Sequence, residues 1–231
     1  MTPKVCYLLP SANERLARVY LPQWLAAGYR VVTLQDRFKF DIPGVEVHRP
    51  FSQFLGYPAS IRWLVENALP DDCDLVVTGG DDMAPDPNLK PATIREQFFG
   101  RFPDGYGVMQ PTGDRWGTDK SGRSAAERIC GSPFMGREFL LNSYEGLGPF
   151  FRGYFHFYAD EELFNVATRD GVLWQRRDMT HFHDHWTRTN RRQPEIYGLL
   201  QAHWERDRDL FAKRRSQGFP DSGRLRKVAD E

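Results

Sequence analysis

The five residues Asp74-Leu75-Val76-Val77-Thr78 constrain this chain more than any other stretch. They are a compact run of β-branched and aliphatic side chains, the composition of a strand buried on both faces. Such a strand belongs inside a parallel sheet, and a parallel sheet needs helices on each side to cover it. Two glycines and two carboxylates follow at once, Gly79-Gly80-Asp81-Asp82. In an open α/β sheet ligands bind outside the carboxyl ends of the strands, so this turn falls where a site would be.

The rest of the N-terminal half repeats the alternation. Residues 5–9 are a short apolar run closed by Pro10, which predicts a strand. Ser11 and Glu14 have capping-box spacing, and Leu16, Val19, Tyr20 and Trp24 then recur at helical intervals up to Gly28. Pro22 inside that pattern predicts a kink or a break. Residues 30–34 read as a second strand, with Asp36 just past its end. Ile61, Leu64, Val65 and Ala68 share a helical face that stops before Pro70. Thr93 and Glu96 offer another capping box, and residues 106–110 another strand. This alternation predicts a doubly wound, mostly parallel α/β sheet in a single domain over residues 1–205. Charge density rises afterwards, so 206–231 read as a charged tail, peripheral or flexible.

The 231 residues carry 31 basic and 31 acidic side chains, so no global basic field draws the chain to nucleic acid or to an anionic membrane. The three cysteines, Cys6, Cys73 and Cys130, show no C-x-x-C spacing, and neither a disulfide framework nor a cysteine zinc site is expected. No signal peptide or apolar stretch of about 20 residues is visible, which predicts a cytoplasmic protein without a transmembrane anchor.

Three features carry chemistry. Asp81 and Asp82 are adjacent carboxylates on a glycine turn, and burying such a pair is costly unless a cation neutralises it. A hard divalent ion would do so and could also hold a diphosphate; a solvated surface turn is the plainer alternative. Asp160 leads an acidic cluster with Glu161 and Glu162, either a helix start favoured by the macrodipole or a general base. His181, His183 and His185 alternate, so an extended backbone would set all three on one side, as a metal site needs.

Residues 75–85 resemble the strand and acidic D-x-D loop of GT-A glycosyltransferases, in particular the family 2-like group. Residues 130–139 are similar to the segment preceding the acceptor site there, and residues 158–164 resemble the acidic segment that holds the base of inverting members. Gly80 stands at the first acid of a strict D-x-D, and Ala159 at the acid that usually precedes Asp160. The resemblance implies a nucleotide-sugar donor, UDP- or GDP-linked, and a Mn2+ or Mg2+ ion on Asp82, Asp81, His183 and His181. It further implies donor contacts from Pro10, Asp36, Gly80, Asp81 and Arg137, acceptor contacts from Trp116 and Glu161, and Asp160 as base. The acceptor would be a glycan, a small molecule or a modified nucleic-acid base. Three other readings compete, one of them a non-catalytic binding module, against which the intact Asp82 and Asp160 argue. A metal-dependent hydrolase would use the three histidines. A sugar nucleotidyltransferase would share fold and metal, but needs a glycine-rich loop after the first strand, where Leu9-Pro10-Ser11-Ala12-Asn13-Glu14 has no glycine.

Overall fold

Every residue from Val5 to Leu9 is shielded from solvent, because this strand, β1 (Val5–Pro10), runs through the middle of the sheet. The computed structural model describes residues 4–36, 39–188 and 192–225. Parallel neighbours flank β1, namely β2 (Arg30–Leu34) and β4 (Leu75–Thr78), and β3 (Glu46–His48) extends the sheet beyond β2. On the far side β4 meets β7 (Phe134–Gly136) antiparallel. β7 in turn pairs antiparallel with β6 (Val108–Pro111), which runs parallel to β8 (Leu173–Arg176). The resulting sheet has seven strands in the order β3-β2-β1-β4-β7-β6-β8, mostly parallel, as the alternation predicts. A separate ribbon pairs β5 (Met83–Ala84) with β9 (Phe182–His183).

Alternate side chains of the central strands enter two cores. Cys6, Leu8, Val32 and Val76 face α2 (Tyr57–Asn67), α4 (Arg137–Asn142) and α5 (Ala159–Arg169). Val5, Tyr7, Leu9, Val31 and Val77 face α1 (Glu14–Ala27) and α3 (Pro91–Arg101). The predicted apolar face of α2 is the one that packs: Ile61 and Leu64 are fully buried, each contributing about 1.5–3 kcal/mol. From β1 the chain winds outward to β3, then returns through α2 to β4 on the other side of β1. That reversal opens a crevice at the carboxyl ends of β1 and β4.

Four local expectations are corrected. The cap of α1 is Asn13, whose side chain accepts from the Leu16 amide, because Ser11 is engaged elsewhere. Helix α1 runs through Pro22 unbroken and ends at Gly28, whose φ of 100° suits a residue without a Cβ. Helix α3 begins at Pro91 after Lys90, since proline needs no amide partner in a first turn, and the Thr93–Glu96 box lies inside it. Cys6 and Cys73 form a disulfide, their Cα atoms 6.4 Å apart. Sequence spacing is silent about this bond, because only the parallel pairing of β1 with β4 brings the two strand starts together.

The proposed tail is also corrected. Helix α7 (Trp204–Ser216) crosses the 205/206 boundary, and its Asp207, Phe211 and Arg214 are buried. The dense charge there is partly internal: Arg214 forms a buried ion pair with Glu162 of α5, Nη2 to Oε1 2.8 Å. Residues 226–231 lie outside the described residues. Among the described residues no helix is long and apolar enough to cross a membrane.

Candidate active site

At the β1/β4 crevice lies a cavity of about 320 Å³. Its floor is the β1–α1 loop and the Gly79–Asp82 turn, and Ile196, Tyr197 and Leu200 of α6 (Ile196–Gln201) also line it. The turn is built by close approach: the Tyr7 hydroxyl donates to the Gly80 carbonyl at 2.5 Å. A Cβ on Gly80 would come within 2.6 Å of Asp82 Oδ1, so a larger residue would displace that carboxylate.

The two aspartates diverge. Asp81 Oδ2 accepts from the Ser11 hydroxyl (3.0 Å) and from the amides of Ala12 (2.8 Å) and Asn13 (2.7 Å). These bonds tie β4 to the β1–α1 loop and take up one carboxylate oxygen. Burial, reinforced by the Asp82 charge, pushes the Asp81 carboxyl up to about 6, against the pull of those donors. Asp82 faces His183 instead, Nε2 to Oδ2 3.3 Å. Burial raises the Asp82 carboxyl, but the His183 hydrogen bond and charge outweigh it and hold the group below the usual range. The β5–β9 ribbon creates this pair, because its register sets Met83 opposite His183, and the Asp184 amide donates to the Asp82 carbonyl at 2.8 Å.

Only two of the three histidines lie together: the His183 and His185 ring centres are 5.2 Å apart, while His181 points into the core. His181 is 3% exposed, with Trp24 and Phe134 rings 5.1 and 5.2 Å away, and its Nδ1 pairs with Ser132 Oγ at 3.0 Å. Burial lowers its imidazole to about 3, so it is a neutral core group. His185 bonds to Thr187 and Tyr197. The extended stretch is only Phe182–His183 long, so alternation does not carry across all three positions. Among the described residues no group of three His, Cys, Asp or Glu side chains is placed to hold a metal ion. Asp82 and His183 together offer one oxygen and one nitrogen, a donor set that suits Mn2+ better than Mg2+. An ion there would draw its other ligands from water or a bound diphosphate, so the pair fits a cation shared with a ligand and does not fit a closed protein cage.

The start of α5 also lines the cavity. Tyr158 caps it in the left-handed region at φ 67°, an unusual conformation for a residue with a side chain. Asp160 lines the cavity half-buried; its Oδ1 accepts the Glu161 amide at 3.0 Å, and burial outweighs this and raises its carboxyl above the usual range. The preceding loop is held from outside. The Asp207 side chain is fully buried, and its carboxylate accepts the amides of Phe155 (3.1 Å), His156 (2.9 Å) and Phe157 (3.0 Å).

The cavity thus brings together Pro10, Asp36, Gly80, Asp81, Asp82, His183 and Asp160. Other expected residues stand apart. Arg137 binds the carbonyls of Pro70 and Cys73 before β4 begins, at the opposite end of the sheet from the crevice. Glu161 is not on the cavity wall, and Trp116 borders a neighbouring cavity of about 50 Å³, its ring centre 5.8 Å from that of His183. Tyr57, His156 and Ser11 line or support the site without a motif of their own; what marks His156 in the sequence is its place four residues before Asp160.

No family model matches the sequence, and no curated protein matches it. Among solved structures, the chain is similar to 4-diphosphocytidyl-2C-methyl-D-erythritol synthase from Anaerococcus prevotii. Identity is 9%, covering 74% of this chain and 86% of that one, with a TM-score of 0.42. It is also similar to a mutant of Drosophila β-1,4-galactosyltransferase 7 in complex with manganese, UDP-Gal and xylobiose. There the identity is 16%, covering 83% of this chain and 75% of that one, with a TM-score of 0.45. At TM-scores below 0.5 these likenesses carry no weight for what the chain does.

Proposed function

We propose that this protein is a metal-dependent glycosyltransferase of the GT-A kind, moving a sugar from a UDP- or GDP-linked donor to an acceptor hydroxyl. One observation carries the reading: a single cavity at the strand switch point is lined by both the Asp82–His183 pair and Asp160. A Mn2+ or Mg2+ ion, when bound, would neutralise the charge of the donor diphosphate. Asp82 and His183 would hold it, with Asp82 kept ionised by its imidazole neighbour. Asp81 serves differently from the initial expectation: it anchors the β1–α1 loop against which a nucleoside would lie.

Asp160 supports the chemical step. A hydroxyl attacks poorly until its proton is removed in the transition state, and a half-buried carboxylate of raised pKa is a better base than a solvated one. Attack from the side opposite the diphosphate would invert the anomeric centre. The acceptor would be a glycan, a small molecule or a modified nucleic-acid base. The nucleotidyltransferase alternative is disfavoured because the Ala12 and Asn13 amides, which a phosphate would need at the helix start, are spent on Asp81. The hydrolase alternative is disfavoured because His181 is a core residue and, among the described residues, no three such side chains are grouped to hold a metal.

Calorimetry tests the central claim. UDP or GDP should bind only with Mn2+ or Mg2+ present, and Asp82→Ala should weaken that binding at least ~10-fold, the loss of a charge-assisted contact. Undiminished affinity in the variant would refute the assignment.

A further inference from the structure

The cavity wall holds one polar group that the chemistry above does not use. His156 lines the cavity; its Nδ1 is enclosed and its Nε2 is not, and among the described residues neither nitrogen has a hydrogen-bonding partner. Burial lowers the imidazole to about 4, so the ring is neutral at pH 7 and carries one proton. The enclosure decides where that proton sits. A buried N–H without an acceptor is rarer, and worse tolerated, than a buried lone pair without a donor. Nδ1 is therefore the bare nitrogen, and Nε2–H points into the cavity as an uncharged donor.

The ring is also held in place. Asp207 takes the amides of Phe155, His156 and Phe157 from behind, and the next residue, Tyr158, is fixed at φ 67°. Rings surround the imidazole: Phe157 at 5.0 Å, Tyr57 at 6.3 Å and Phe54 at 6.5 Å between centres. A donor locked at its backbone and packed at its sides loses little freedom when a ligand arrives, which is the condition for selectivity. A single neutral donor adds no charge to favour a phosphate, whose binding here falls to the cation, and it suits an uncharged oxygen acceptor equally well without a desolvated ion to pair.

We infer that His156 is a specificity residue that donates Nε2–H to an uncharged oxygen of the bound sugar nucleotide, a base carbonyl or a sugar hydroxyl, with Asp207 as its positioning residue. The inference rests on the glycosyltransferase reading above.

The test compares the wild type with His156→Phe, which keeps the ring and removes the donor, and His156→Gln, whose amide restores a donor near Nε2. Binding of UDP, UDP-glucose, UDP-galactose, GDP and GDP-mannose is measured by calorimetry with Mn2+. His156→Phe should bind at least one of them ~5–10-fold more weakly, the scale of one neutral hydrogen bond, and His156→Gln should recover to within ~3-fold. Equal weakening of UDP and its sugars with GDP unaffected identifies the base carbonyl, and weakening of the sugar nucleotides alone identifies the sugar hydroxyl. Equal weakening of UDP and GDP would put the donor on the diphosphate and overturn the inference. A His156→Phe protein that binds every ligand as the wild type does, or a loss that Gln does not rescue, overturns the inference. A wild type that binds no nucleotide overturns the glycosyltransferase reading instead, and the inference falls with it. Imidazole ¹⁵N spectra of the unliganded protein give a separate readout. Nε2–H is expected at pH 7, and an Nδ1–H tautomer would overturn the inference whatever the ligand. His156→Phe should melt at or above the wild-type temperature, since carbon replaces an unpaired buried nitrogen.

Discussion

One oxygen of Asp81 accepts from three donors of the β1–α1 loop, while Asp82 faces an imidazole 3.3 Å away. Adjacent residues of one type thus do different work, and substitution should separate them. Asp81→Ala strands two amides and a hydroxyl, and we expect it to cost about 1–3 kcal/mol in urea denaturation. Asp160→Asn keeps size and removes the proton acceptor, so turnover should fall ~10²–10⁴-fold with donor affinity almost unchanged. A variant with normal turnover would leave Asp160 as part of a helix start alone. His156 adds a pH dependence. Burial lowers its pKa to about 4 and wins over the opposing charge of Asp207, while the unfolded value is about 6.5. Between those two values an unfolded chain takes up a proton that the folded one refuses, so stability falls as pH drops through this window. Above about 6.5 the group has no effect, and below about 4 the loss is complete. Asp81, raised to about 6, acts with the opposite sign in part of this window and is common to both proteins. It is therefore the difference that reports on His156: relative to His156→Phe, the wild type should lose stability as pH falls from about 6.5 to about 4.

The elements that carry the site are braced by an element far along the chain. Helix α7 supplies Asp207 to the 155–157 amides and Arg214 to Glu162, while Tyr154 adds its hydroxyl to the same glutamate at 2.7 Å. Removing one partner of a buried pair leaves a charge without compensation, and Arg214→Ala should cost about 3–5 kcal/mol. A loss below about 1 kcal/mol in chemical denaturation would show that water reaches Glu162 and that the brace is weak. The ribbon β5–β9 is the second positioning element. It is two residues long, yet its register decides that His183, and not His181, meets Asp82.

At the scale of the whole molecule, two helical layers cover both faces of one twisted sheet, and the crevice exists because the winding direction reverses at β1. Residues 206–225 belong to this body. A chain ending at residue 205 would expose the core around Phe211 and Phe219 and would leave Glu162 buried without Arg214. We expect such a truncation to lose cooperative thermal unfolding; a protein that still melts sharply near the wild-type temperature would contradict the place given to α7.

What the amino-acid sequence determined by itself is what depends on near neighbours. The run Leu75–Thr78 could be covered on both faces only inside a parallel sheet, and the strand–helix alternation before it leads to double winding. Glycines beside two carboxylates at that strand's end placed a turn at the crevice for the same local reason. Tertiary structure alone decided which groups meet. Pairing of β1 with β4 joined Cys6 to Cys73 and brought Ser11, Ala12 and Asn13 to Asp81. Packing took His181 into the core and Arg137 to the opposite end of the sheet, and it turned Asp207 and Arg214 of α7 inward. Residue type and spacing record what a side chain can do. Partners tens of residues away are set by register and by the free energy of burial, which no local pattern carries.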